Sequence, residues 1–140
     1  MKNTLLAITG IIGSVIANAL GGFDMALQTL IGFMIADYIT GLIVAGVFKK
    51  SGKSENGALE SRAGWKGLCR KGMTLGIVYV ATRLDKLTGT AFIRDAVIIG
   101  YIANEAISLF ENAGLMGLPV GKVLTNAIDV LRKKGDGSGN

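Results

Sequence analysis

Apolar residues fall into four long runs along this chain, and polar residues collect in the short breaks between them and in an amphipathic stretch near the end. The runs predict helices over about 4–22, 25–48, 67–84 and 91–113. The second contains LQTLIGFMIADYITGLIVAGVF, with no proline, and a helix of that length rises about 30 Å, the hydrocarbon thickness of a bilayer. Only Gly21, Gly22, Phe23 and Asp24 separate it from the first run, a tight turn that suits a helical hairpin. The third run is short, so Lys66, Arg70, Lys71 and Arg83 must reach out to the two interfaces if it is to cross. Residues 85–90 read as a turn. The fourth run ends at Gly114, Gly117 and Pro119, which are helix stop signals. Beyond it, Val120, Val123, Leu124, Ala127, Ile128 and Leu131 recur at helical spacing, with Lys122, Asp129, Arg132 and Lys133 opposite. The 114–134 stretch is too short and too charged to span, and reads as an amphipathic helix lying at the membrane interface. The last residues, 135–140, read as a flexible tail.

The expected fold is therefore an all-α integral membrane protein: a transmembrane domain over 1–113 with about four spans, then the short amphipathic helix. Composition strengthens this. Half of the 140 residues are hydrophobic and only 18% are charged, too few to cover the surface of a soluble domain. Mean hydropathy is +0.49. The 21 glycines suit membrane helices, where small residues let backbones approach closely. Strand-like alternation is scarce, which argues against a β-barrel. The first run also has the marks of a signal peptide, with one lysine, an apolar core and Ala17-Asn18-Ala19. Gly10, Ser14, Ala17 and Gly21 at helical spacing favour a retained helix instead; its removal would leave three spans.

Against this apolar background the polar positions stand out. Asp37 lies near the middle of the second span, where a carboxylate costs on the order of 2.5–3.5 kcal/mol. Thr40 is one turn on. In the fourth span Arg94, Tyr101, Glu105, Ser108 and Asn112 share one side of a helix, flanked by Asn104 and Glu111. These nine are candidates for a pore lining or an intramembrane polar face. Arg94 and Glu105 are about three turns apart and cannot pair, so each needs a partner elsewhere, for which Asp37 is a candidate. Gly32 and Ala36, and Gly72 and Gly76, are candidate helix-packing pairs.

Charge predicts the topology. Lys49, Lys50, Lys53, Arg62, Lys66, Arg70 and Lys71 form a basic cluster around a 49–66 loop, net +5 once Glu55 and Glu60 are counted. Short loops rich in Lys and Arg stay in the cytoplasm. The amphipathic helix is basic as well. Both termini and the basic loop are therefore expected inside, and the turns near 22–24 and 85–90 outside. No nucleic-acid partner is expected, because aromatic residues do not interleave with the basic ones.

The chemistry available is narrow. There is no histidine and a single cysteine, Cys69, so His-based catalysis, His-ligated metals and an intrachain disulfide are ruled out. No nucleophile–base pair accompanies the carboxylates. Neither a metal, a cofactor nor an enzymatic activity is expected. An ion-coupled transporter fits poorly for want of inverted repeats.

The ordered set Asp37-Tyr38-Ile39-Thr40-Gly41, Gly67-Leu68-Cys69-Arg70-Lys71, Leu84-Asp85, Arg94, Tyr101 through Asn112 and Gly117-Leu118-Pro119-Val120 resembles the toxin secretion/phage lysis holin family, over residues 31–131. The resemblance implies a small multi-pass protein of the bacterial cytoplasmic membrane. Such a protein forms homo-oligomers and opens a lesion that releases an endolysin, with no direct contact, or a toxin. It also leaves open an antiholin partner, or that this chain is itself an antiholin or a scaffold that forms no hole, because an extra amino-terminal segment marks some antiholins.

Overall fold

The computed structural model describes residues 1–137. Among these all the regular secondary structure is helical: α1 (Lys2–Ala19), α2 (Met25–Ile43), α3 (Ser61–Thr88), α4 (Ile93–Leu115) and α5 (Val120–Gly137). α2 runs on without a break through one wider, π-helical turn, Val44–Phe48. One helix, Met25–Phe48, is long and apolar enough by length and composition to cross a membrane. The four-span expectation is thus not confirmed. α1 begins with Lys2 and Asn3, and the apolar part of α3 is flanked by Lys66, Arg70, Lys71 and Arg83.

Local chemistry sets the ends of the helices. α1 closes where Gly21 and Gly22 take φ of 92° and 102°, with the Gly22 N–H reaching back to the Ala17 carbonyl at 2.8 Å. Glycine alone enters that region without a Cβ penalty. A Cβ on Gly21 would also run into the Arg94 guanidinium. Asp24 then caps α2, its Oδ1 accepting from the Leu27 N–H at 3.0 Å. α4 ends in the same way as α1, at Gly117 with φ of 92°, Leu118 N–H bonding to the Ala113 carbonyl at 3.0 Å.

Three boundaries differ from the sequence reading. α3 starts at Ser61, so Arg62 and Lys66 belong to a helix and the basic loop shortens to 49–60. α3 also continues to Thr88, which converts most of the expected 85–90 turn into helix and leaves Gly89, at φ 68°, as its stop. Helical structure continues through 135–137, the first half of the expected tail; the rest of that tail lies outside the described residues.

α2, α3 and α4 form the packed body, with α4 lying chiefly against α2 and then α3. α2 and α4 run parallel and α3 antiparallel to both. The apolar core is small: Leu20, Leu27, Leu30, Met34, Val78 and Ile98, with Ala26, Ile31, Leu75, Val97, Tyr101 and Ile102 around it. Asp37, Thr74, Thr82, Asp85, Arg94, Glu105 and Asn112 are buried too, so polar groups fill much of the interior. Neither α1 nor α5 buries a residue. The accessible surface, 9808 Å², is far above the roughly 6,900 Å² of a compact soluble protein of this mass. Much of the excess is apolar: Leu5, Leu6, Ile11 and Val15 on α1, Ile35 and Ile39 on α2, Met73 and Val80 on α3, and Ile99 and Ile107 on α4 are all exposed.

Candidate functional site

The interior polar residues form two clusters at different levels of the α2–α3–α4 body. The first is built on Lys71. Its ammonium sits between two carboxylates, donating to Asp37 Oδ2 at 2.8 Å and to Glu105 Oε2 at 2.9 Å. Asn112 completes it, donating from Nδ2 to Asp37 Oδ1 at 3.0 Å and to Thr40 Oγ1 at 2.8 Å. Thr40 in turn donates to the Ala36 carbonyl at 2.8 Å. Each of the three helices contributes: Asp37 and Thr40 from α2, Lys71 from α3, and Glu105 and Asn112 from α4. Both carboxylates are buried and Lys71 is nearly so. Two carboxylates share one ammonium, so the trio carries one unbalanced negative charge when fully ionised.

A cavity of about 430 Å³ opens onto this cluster from the side of the 49–60 loop. Asn104, Ser108 and Glu111 line it, together with Arg70 and the loop residues Lys53 and Glu60. Its outer wall is made close by Tyr38, which rests against Gly64 and Gly67 of α3 and whose hydroxyl donates to the Gly64 carbonyl at 3.4 Å.

The second cluster closes the opposite end of the body. Arg94 grips the α1–α2 turn: Nε donates to the Leu20 carbonyl at 2.6 Å, Nη2 to the Gly22 carbonyl at 3.0 Å, and Nη1 and Nη2 to the two oxygens of Asp24 at 2.7 and 3.2 Å. This bidentate pair is the strong geometry for guanidinium and carboxylate. Its hydrogen bonds hold the Asp24 carboxyl below the usual carboxylate range. Asp85, at the end of α3, accepts from Thr90 Oγ1 at 2.6 Å and from the N–H groups of Ile93 and Arg94 at 3.0 and 2.9 Å. It therefore caps α4 from a neighbouring helix. The Thr90 hydroxyl first, and then these two N–H groups, hold its carboxyl below the usual range.

Asp37, Thr40, Glu105 and Asn112 thus come together, and Asn104, Ser108 and Glu111 line the space next to them. The partners differ from those expected. Arg94 pairs with Asp24, not Asp37, because α4 starts at the end of the body where α2 starts. Tyr101 packs against the apolar core and lies outside the cavity. Lys71 does not reach out to an interface; it is the counter-ion of both acids. Lys49, Lys50, Lys53, Arg62, Lys66 and Arg70 are exposed, as are Gly32 and Gly72, and a Cβ on either glycine would meet nothing. Ala36 and Gly76 are half-buried. Asp24, Asp85 and the bridging role of Lys71 were missed from sequence. The signal for Lys71 is its register: it falls one turn before Thr74, Val78, Ala81, Thr82 and Asp85, the buried stripe of α3.

The family model described as "Bacteriophage holin family" matches residues 14–133, which includes both clusters. The chain belongs to the bacteriophage holin family. A probable holin of Bacillus phage phi105 is 32% identical over 111 residues, 79% of this chain and 76% of that one. An uncharacterized Listeria innocua protein (Lin0175) is 39% identical over 126 residues, 89% of this chain and 84% of its own length. A 14.9 kDa protein from the nagH 3' region of Clostridium perfringens is 35% identical over 125 residues, 88% of this chain and 89% of that one. No solved structure matches. Holin membership implies a phage-associated protein of the cytoplasmic membrane and speaks for a non-enzymatic role.

Proposed function

We propose that this chain is a phage holin: it accumulates in the bacterial cytoplasmic membrane, self-associates there, and opens a lesion through which an endolysin or toxin leaves the cell. One observation carries the reading beyond family membership. Apolar side chains cover the outside of a helical body whose interior holds ionised residues. A soluble monomer rarely exposes contiguous apolar patches of more than a few hundred Å², whereas lipid accepts such a surface. The four helices α1 to α4 then all cross. At about 1.5 Å per residue, α1 spans roughly 27 Å and α4 roughly 35 Å. α3 would extend roughly 42 Å, long enough to leave its first turns and the exposed Trp65 at the interface. The basic loop, α5 and both termini lie in the cytoplasm, where Lys and Arg are retained. The 1–113 transmembrane domain ends there, and α5 rests on the inner leaflet through Val123, Leu124, Ile128 and Leu131.

In the closed subunit Glu105 and Asn112 of α4 are turned inward onto Lys71 and Asp37, while Asn104 and Glu111 of the same polar face are exposed beside the cavity. Assembly would turn Glu105, Ser108 and Asn112 toward water, joined by Asp37 and Thr40 and by the already exposed Asn104 and Glu111. The open faces around Gly32, Ala36, Gly72 and Gly76 supply contacts between copies. Endolysin uses the lesion without docking on the protein.

The test is expression in bacteria with and without a cytoplasmic endolysin. A holin arrests growth on its own and lyses the cells when the endolysin is present. Continued growth in both cultures, with the protein in the membrane, refutes the reading. That result would favour an antiholin, the second reading, for which the unpacked α1 is the specific support.

A further inference from the structure

We propose that the Asp37–Lys71–Glu105 cluster is a binding site for one proton, reached through the cavity on the 49–60 side, and that its occupancy holds the subunit closed. The inference deepens the holin reading and rests on it for its physiological meaning. Three observations combine. The trio, fully ionised, holds two carboxylates against one ammonium within 2.8 and 2.9 Å. It is buried among three packed helices, where an unbalanced charge is poorly tolerated. The cavity of about 430 Å³ is large enough for on the order of ten waters, each taking roughly 30 Å³, which gives protons a path in.

The surroundings do not supply the missing positive charge. On α2 the cavity is lined by Asp37 itself and by Tyr38, and on α3 by Lys71 and the exposed Arg70. On α4 Glu111 adds another acid, and the loop brings one of each sign, Lys53 and Glu60. Asn112 donates to Asp37 Oδ1, so Asp37 is held as an acceptor and Glu105 is the group that takes the proton. A metal ion is a poorer occupant: among the described residues no group of three or more Asp, Glu, Cys or His is placed to hold one, and Lys71 already fills the space between the carboxylates.

In the closed subunit the proton removes a buried charge. In an assembly that turns Glu105 toward water the gain vanishes, so the closed form binds the proton more tightly. Acid on the cavity side favours the closed subunit, and alkali favours assembly.

The test uses the full chain in detergent micelles. Infrared difference spectra report the carbonyl stretch of a protonated carboxylic acid, and sedimentation reports assembly size, both as pH is raised. Wild type is expected to lose a protonated-carboxyl band and to grow in size over the same pH range. Glu105→Gln, a permanent mimic of the protonated state, should lack the band and stay small at every pH. Asp37→Asn balances the cluster by the other route and should also lose the pH dependence; it serves should Glu105→Gln fail to fold by circular dichroism. Asp129→Asn, exposed on α5 and outside the cavity, should behave as wild type. The proposal is overturned if wild-type size does not depend on pH, if both neutral variants keep the wild-type pH dependence, or if exchanging sodium for potassium or choline replaces pH as the controlling variable. Neither readout needs lysis. A titrating Glu105 in a protein that fails to lyse cells would sink the holin reading alone, and lysis without a titrating band would sink this one alone.

Discussion

Lys71 decides how three helices tolerate two buried acids. Removing it leaves Asp37 and Glu105 facing each other in a low-dielectric interior, and breaking a buried ion pair by deleting one partner costs about 3–5 kcal/mol. Lys71→Met is therefore expected to lower the unfolding midpoint in detergent far more than Lys66→Met, whose side chain is exposed. Equal midpoints for the two variants would show that the ion cluster contributes little. Much of this site is legible from sequence. A carboxylate in a long apolar run, and a polar stripe at helical spacing in another, mark Asp37, Glu105 and Asn112 whatever the packing. The counter-ion is not legible in the same way. A lysine at the edge of a short apolar run reads as a side chain bound for the interface, and only the partner helices reveal that it turns inward.

At the scale of elements, the end of α3 and the start of α4 act as one unit. Asp85 receives two backbone N–H groups of α4, satisfying donors that a helix start leaves unpaired. Its carboxyl is held below the ordinary carboxylate range. The folded state therefore prefers the ionised form, so the stabilisation is full above the ordinary carboxylate range and is lost as pH falls through the lowered value. Asp85→Asn is expected to be less stable than wild type at neutral pH, with the gap narrowing on acidification. Unfolding midpoints measured across pH check this, and a gap that widens toward acid pH contradicts it. The sequence reading put Asp85 in a short turn, 85–90, between two apolar runs. The cap is a contact between helices, and a contact of that kind has no local pattern.

For the molecule as a whole, the packed α2–α3–α4 body is flanked along the chain by two helices, α1 and α5, that bury nothing in the single chain. The proposed topology puts the 49–60 loop and the end of α3 on opposite sides of the membrane. In a Cys69→Ala background, Gly52→Cys is expected to resist a membrane-impermeant maleimide in intact cells and to react after permeabilisation. Leu87→Cys, exposed at the far end of α3, is expected to react without it. Labelling of both from the same side would rule out a crossing by α3.

What the sequence by itself determined is the helical class, the long apolar second helix, the stops at Gly21–Gly22 and Gly117, and the set of polar residues that apolar surroundings cannot leave alone. These follow from periodicity, backbone freedom and the cost of unsolvated charge, all of which act over a few residues or on composition. Only the tertiary structure decided which charge meets which: Arg94 with Asp24 at one end, and Lys71 with Asp37 and Glu105 beside the cavity. Pairing depends on helix direction and register across 34 residues for Lys71 and its partners and 70 for Arg94 and Asp24. No local preference extends that far, because those separations are closed by packing rather than by chain chemistry.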